Sequence, residues 1–411
     1  MKKIFYSITI SIILQPVIHS QQGWQLIYSF PEDVSAICFI DNQIGFAGSG
    51  FSASTKKIMR TTDSGTSWND LVITDNAITR IYFYNYFLGF AIGDNGTFYK
   101  TTDSGINWIL LPLGETETFR GIYFYNEQNG WSCIGADKIL RTTDGGNNWT
   151  SSFTTSAVAN YDIEFINESI GFTVGVYARM YTSTDGGAAW NEITAPLAAS
   201  MFDIEFFDQS NGIIVGGTGI ARTLNGGNMW SQVLNSGGSQ LNSVCTFGNK
   251  FAWAVGQDKI FYTSNSGDTW TSQSFTPYSY LQQVSCVDSV TVWVLGDMKL
   301  YRTSSGGVTS INDEATLTPE KFSLSQNYPN PFNPSTVISY QLPVISNVKL
   351  KVYDILGREV VTLVNEEKPA GSYEIQFNGN SGNVRNLTSG IYFYQLNVGD
   401  YSETKKMILL K

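Results

Sequence analysis

Two carboxylates stand out among the side chains that could do chemistry. Asp162 and Asp203 open the near-identical stretches "DIEFINESIGF" and "DIEFFDQSNGI", so whatever element holds one holds the other in the same way. Glycoside hydrolysis needs two acids at a set separation, one to protonate the leaving oxygen and one to act as nucleophile or base. Arg80, Arg120, Tyr161 and Phe202 add charge and stacking surface suited to a glycan or a protein. The plainer account of each is a solvated loop side chain. The single histidine, His19, lies in a removable leader, which leaves Ser-His-Asp, Cys-His and histidine-bound zinc chemistry without its central group. Cys38, Cys133, Cys245 and Cys286 have no CxxC spacing, so neither metal nor cofactor is expected. Buried free thiols are the preferred reading of the four, with three disulfide connectivities open.

The elements that must position these residues come from a repeat. The pattern (Thr/Ser)-x-(Asp/Asn)-x-Gly-x-x-Trp recurs with Asp63, Asp103, Asp144, Asp185, Asn225 and Asn265, and its tryptophans are 40 or 41 residues apart. Upstream of each copy runs a second phrase, such as "IYFYNYFLGFAIG" (81–93) or "IEFFDQSNGIIVG" (204–216), and seven of these can be aligned. Each unit reads as four short strands, and four strands every forty residues is the signature of a propeller blade. In the box, the Asp or Asn side chain accepts backbone N–H groups of a tight turn and the Thr hydroxyl supports the same loop. The Gly supplies positive φ, and the Trp is expected to bury its ring between sheets. These roles are structural. The spacing resembles the Asp-box, or BNR, repeat of sialidase-like propellers. That resemblance implies a hairpin box between third and fourth strands, away from the ligand face.

The seventh copy, "RTSSGG" (302–307), has no tryptophan behind it, whereas the chain begins its mature part with "GWQLIYSF" (23–30), a post-box strand with no box. Joining the two would complete the last blade and leave no open sheet edge. The expected fold is therefore all-β, a seven-bladed β-propeller followed by a small immunoglobulin-like β-sandwich.

Composition agrees and sets limits. With 15% charged residues, 14% aromatic residues and 39 glycines, the chain favours short strands and turns over helices. A formal charge of −10 argues against nucleic acid as a partner. Lys2 and Lys3, then the apolar run 4–14 and Ser20, read as a signal peptide, and no later apolar run is long enough to span a membrane. The expected division is signal peptide 1–20, propeller 21–309, linker 310–321 and C-terminal domain 322–411.

That last domain has its own vocabulary: "YPNPFNPST", "YDILGREV", "SGIYFY" and the terminal "KKMILLK". By residue type it is a generic antiparallel sandwich. In wording it resembles the type A sorting domain of type IX (Por) secretion. Pro329, Asn330 and Pro331 match the PNP element, Asp354, Gly357 and Arg358 the D-x-x-G-R turn, and Gly390 with Tyr392 the G-x-Y element. The resemblance implies the type IX machinery as partner. It also implies a secreted or outer-membrane-surface location, reached after passage to the periplasm.

A propeller does not name its ligand. Residues expected just before the first strand of each blade vary while the scaffold repeats: Ser35-Ala36, Thr79-Arg80, Arg120-Gly121, Tyr161-Asp162, Phe202-Asp203, Asn242-Ser243 and Gln282-Gln283. They are expected at one mouth of the ring, joined by Asp94, Asp137, Arg179, Asp258 and Asp297 from second-to-third strand loops. Sialidases need three arginines, a Tyr–Glu pair and an R-I-P stretch, and no R-I-P occurs. The repeat phrasing is most similar to single propellers related to photosystem II stability and assembly factors, which implies a protein-binding scaffold. The expectation is a non-enzymatic binder of extracellular protein or glycan. The alternative is a glycoside hydrolase or polysaccharide lyase using Asp162 and Asp203.

Overall fold

The computed structural model describes residues 23–273, 275, 279–307, 321–327, 330–369, 371–379, 387–399 and 401–410. The signal segment 1–20, almost all of the linker and Pro329 lie outside them. The described residues form two compact units, one on each side of residues 308–320. Among them the only helical element is a single turn at Val176–Ala178, and no helix is long and apolar enough to cross a membrane.

The first unit contains seven four-stranded antiparallel sheets. Their inner strands are Val34–Phe39, Ile78–Phe83, Phe119–Phe124, Asn160–Phe165, Met201–Phe206, Leu241–Phe247 and Leu281–Cys286, which number blades 1 to 7 here. Each inner strand packs on the next and the seventh packs back on the first, closing a ring. The repeat thus builds a seven-bladed propeller. The seventh blade takes its outer strand from the other end of the chain: Gln25–Ser29 pairs antiparallel with Lys299–Thr303. Trp24 is fully buried there and donates its indole N–H to Gln273 Oε1 at 2.9 Å.

The box geometry recurs in detail. In blade 3, Thr142 Oγ1 accepts the Gly146 N–H at 2.9 Å, and Asp144 Oδ1 accepts from the Thr142 hydroxyl and from the Asn148 N–H, each at 2.9 Å. With so many donors on one carboxylate, Asp144 is held down at about 2, the Asn148 side chain contributing most. Asn225 and Asn265 play the same part as neutral acceptors, taking the Met229 and Thr269 N–H groups.

The box tryptophans are less deeply placed than expected. Trp108 and Trp190 are buried, but Trp68, Trp149, Trp230 and Trp270 are half-buried. Trp131, Trp253 and Trp293 on the second strands lie deeper than these, as fully buried as Trp24. A clasp explains the difference. The last residue of the inner strand in blades 1 to 5 is Phe39, Phe83, Phe124, Phe165 or Phe206, and a second-strand ring of the preceding blade stacks on it. Trp131 lies 3.6 Å from Phe165 and Trp293 lies 3.8 Å from Phe39, ring centre to centre. The box tryptophan then meets the same phenylalanine edge-on, as Trp149 does Phe124 at 6.1 Å. The glycine opening the second strand in these five blades makes room: a Cβ on Gly130 would stand 2.5 Å from the Phe124 ring.

The second unit is a sandwich of two sheets. One orders Ser323–Leu324, Ser335–Leu342 and Gly371–Asn378; the other orders Glu359–Lys368, Ser346–Asp354, Gly390–Val398 and Tyr401–Leu409. Ile338, Tyr340, Leu350, Val352, Tyr394 and Met407 fill the space between them. Asn330 Oδ1 accepts the Ile408 N–H at 2.8 Å, tying the lead-in to the last strand. Asp354 accepts the Leu356 and Arg358 N–H groups and the Arg358 Nε–H, at 2.9, 3.0 and 2.6 Å, around Gly357 at φ +76°. Gly390 opens its strand, and the Tyr392 hydroxyl donates to the Thr388 carbonyl at 2.9 Å.

Candidate functional site

Each inner strand carries a bulge at the same place. In all seven blades the pairing with the second strand slips between the first and third residues of the inner strand. A bulge inserts one residue and re-aims the side chains beside it. The inserted second residues are Ser35, Thr79, Arg120, Tyr161, Phe202, Asn242 and Gln282, and all seven line one cavity of about 580 Å3 at the mouth of the ring.

Among the third residues, Gln283, Asp203 and Asp162 also reach between blades. An inner strand is a sheet edge, so its outward N–H groups need partners. Gln283 Oε1 accepts the Ile37 N–H at 2.7 Å, Asp203 Oδ2 the Val244 N–H at 2.9 Å and Asp162 Oδ2 the Ile204 N–H at 3.3 Å. The second residues lace as well: the Ser35 and Thr79 hydroxyls and the Asn242 amide donate to the first carbonyl of the next blade, each at 2.6 Å.

Arg80 sits across this lacing. Its guanidinium donates to Asp162 Oδ1 at 2.6 Å and to Asp203 Oδ1 at 2.8 Å, binding blade 2 to blades 4 and 5 across the channel. Both carboxylates are only 2% exposed. Burial pushes Asp162 well above the usual aspartate range against the pull of Arg80. Burial acts the same way on Asp203, but Arg80 and the hydrogen bond from Asp162 prevail and bring it below that range. Deeper in the channel, burial and then Asp203 push Glu205 up to about 8, and burial and then Glu205 raise Glu164.

Above this floor the mouth has two faces. On one, the Arg120 guanidinium lies 5.5 Å over the Tyr161 ring, and Tyr161 lies 5.2 Å from Phe202 at a 38° tilt. On the other, Gln240 donates to Asn242 Oδ1 at 2.6 Å and to the Tyr280 hydroxyl at 3.1 Å, with Gln282 alongside. This combination of aromatic faces, one cation and neutral amides suits a polar ligand with an apolar flank. Among the described residues no cluster of three His, Cys, Asp or Glu could hold a metal ion.

The six candidates from the sequence therefore divide. Arg120, Tyr161 and Phe202 stand on the wall, Arg80 and Asp203 form the floor, and Asp162 is beneath it. The second-to-third loop residues do not line the cavity. Asp94, Asp258 and Asp297 accept from Thr118 and Ser279 on the chain entering the inner strands, and Arg179 pairs with Glu192, so these side chains are spent on neighbouring chain rather than on the cavity. Sequence reasoning missed Ser200, Gln240 and Tyr280, which also line the cavity. Each immediately precedes the first residue of an inner strand, a position the repeat alignment could have flagged.

Comparison with known proteins completes the picture. Residues 326–410 match the secretion system C-terminal sorting domain, and residues 188–307 match the photosynthesis system II assembly factor YCF48. The chain is a BNR-like propeller with a type IX sorting tail. The tail indicates export through type IX secretion to the cell surface or extracellular space. Among solved structures, YCF48 bound to a D1 peptide is 18% identical with a TM-score of 0.56, covering 69% of this chain and 97% of its own. YCF48 from Cyanidioschyzon merolae is 15% identical with a TM-score of 0.55, covering 68% and 98%. PorZ, a surface component of the type-IX secretion system of Porphyromonas gingivalis, is 12% identical with a TM-score of 0.51, covering 92% of this chain and 60% of its own. At these identities the likeness is one of fold. No curated protein matches the chain.

Proposed function

We propose that the exported propeller is a non-enzymatic binding module whose mouth holds a segment of an extracellular glycan or protein. The observation that carries this reading is the state of the acids. The pair that hydrolysis would need is occupied by Arg80 and by the backbone of the neighbouring blades, while the wall side chains Arg120, Tyr161 and Phe202 face the cavity. A glycan suits the wall best, since sugar rings lay C–H faces on aromatics and offer hydroxyls to amides. A peptide is the second reading, supported by a neighbour of similar fold whose structure holds a D1 peptide.

The test is a panel of glycans and peptides assayed for both retention and product release. Retention without turnover is expected, falling about tenfold or more in Tyr161→Ala and Phe202→Ala at the loss of one stacking contact each. Turnover that disappears in Asp162→Asn or Asp203→Asn would establish the hydrolase or lyase instead.

A further inference from the structure

The ring sets each fifth residue of an inner strand against the sixth residue of the next. The Cys38 thiol and the Glu164 carboxylate meet the backbone N–H of Phe83 and Phe206. The Tyr82 hydroxyl accepts the Phe124 N–H at 3.2 Å, and Ser285 Oγ accepts the Phe39 N–H at 2.9 Å. Between blades 5 and 6 the contact is side chain to side chain, the Thr246 hydroxyl donating to Glu205 Oε2 at 3.3 Å. At the junction of blades 6 and 7 the same two positions hold Cys245 and Cys286.

Three observations agree on where the sulfurs lie. The Cys286 thiol donates to the Thr246 carbonyl, one residue beyond Cys245, at 3.4 Å. Both side chains pack in one apolar cluster with Trp253, Val284 and Val292. After burial, the Cys286 side chain is the main influence that raises the Cys245 thiol. Cys133 has no such companion: its sulfur rests on the Gly121 carbonyl at 3.9 Å. The junction is also one of the two that lack the phenylalanine clasp, because Thr246 and Cys286 stand where the other blades have a ring. It adjoins the blade that closes the ring from both chain ends.

We propose that Cys245 and Cys286 are joined as an interblade disulfide in the exported protein. The sorting tail takes the chain out of the cytoplasm, where thiols are kept reduced, into compartments where disulfides persist. The oxidant is an envelope dithiol carrier in its disulfide form. One cysteine thiolate attacks a carrier sulfur, forming a mixed disulfide and expelling the second carrier sulfur as thiolate. The other cysteine thiolate then attacks the protein-side sulfur and releases the first carrier sulfur. Two electrons pass to the carrier, and the two cysteine protons end on its two thiols. The step belongs to folding, before the ring closes. In a ring closed without the bond, Cys245 is 9% exposed, and burial and then Cys286 raise its thiol out of the reactive range.

The test is the intact mass of the full chain recovered after export, alkylated under denaturing conditions with and without prior reduction. Before reduction, alkylation is expected at Cys38 and Cys133 only, with a peptide cross-linking Cys245 to Cys286; after reduction, at all four. The oxidised protein should melt about 5 °C or more above the reduced protein. Cys286→Ser should remove that difference, and Cys38→Ser should keep it. Four alkylatable thiols before reduction, or a cross-link between any other pair, would overturn the proposal. Because the mass measurement uses the unaltered protein, it decides even if Cys286→Ser fails to fold.

Discussion

At the scale of single residues, the channel floor is governed by an imbalance of charge. Asp162, Glu164, Asp203 and Glu205 crowd beside one guanidinium, Arg80. An excess of buried negative charge is relieved by keeping protons. Glu205 is pushed up to about 8 from 4.5, so across that window the folded protein holds a proton that the unfolded chain has released. The stability this contributes is full below 4.5 and is lost as pH rises through about 8. Urea unfolding midpoints should fall between pH 5 and pH 8. Glu205→Gln, which keeps an acceptor for Thr246, should flatten that slope, the remainder coming from Glu164 and Asp162. An unchanged slope in the variant would show that Glu205 ionises freely in the folded protein. The box aspartates act with the opposite sign: Asp144 at about 2 stabilises the fold above the ordinary aspartate value and loses that effect as pH falls through about 2.

At the scale of elements, the weak point of a ring is the place where its ends meet. Six blades are made from consecutive chain, and the seventh depends on Gln25–Ser29 finding Lys299–Thr303 across the whole propeller. Trp24 anchors that strand with a fully buried ring. Trp24→Ala should cost about 3–5 kcal/mol in urea unfolding, the range for deleting a buried tryptophan. Removal of residues 23–30 should lower stability further by exposing the Lys299–Thr303 edge. A truncated protein that unfolds with the intact one would mean that the seventh blade is closed some other way. The bulge is the second decisive element. By repeating in every blade it turns seven unrelated side chains toward one cavity while their neighbours fasten blade to blade.

At the scale of the whole molecule, two units divide the labour. The propeller offers a rigid cavity, and the sandwich carries the sorting sequence. Chains lacking residues 326–410 should accumulate in the periplasm instead of reaching the surface or medium, as read by cell fractionation and immunoblotting. Surface display of the shortened chain would show that its export depends on something other than the tail.

The box, the seven-fold count and the sorting motifs were legible in the sequence because each is built from phrases of about forty residues or less, and the closing strand because one chain end carries a box without its tryptophan and the other a post-box strand without its box. Thr142, Asp144 and Gly146 make their turn among themselves wherever the rest of the chain goes. The site was legible only in part. Sequence alignment placed Asp162 and Tyr161 at corresponding points of the repeat, but not on opposite sides of a bulge that buries one and displays the other. It could not pair Arg80 with two carboxylates from the fourth and fifth blades, or set Trp131 rather than Trp149 deepest in the core. Those contacts join residues separated by one to three blades, and only closure of the ring brings them within reach. Local turn chemistry fixed the parts; the curvature of the closed ring decided which side chains meet.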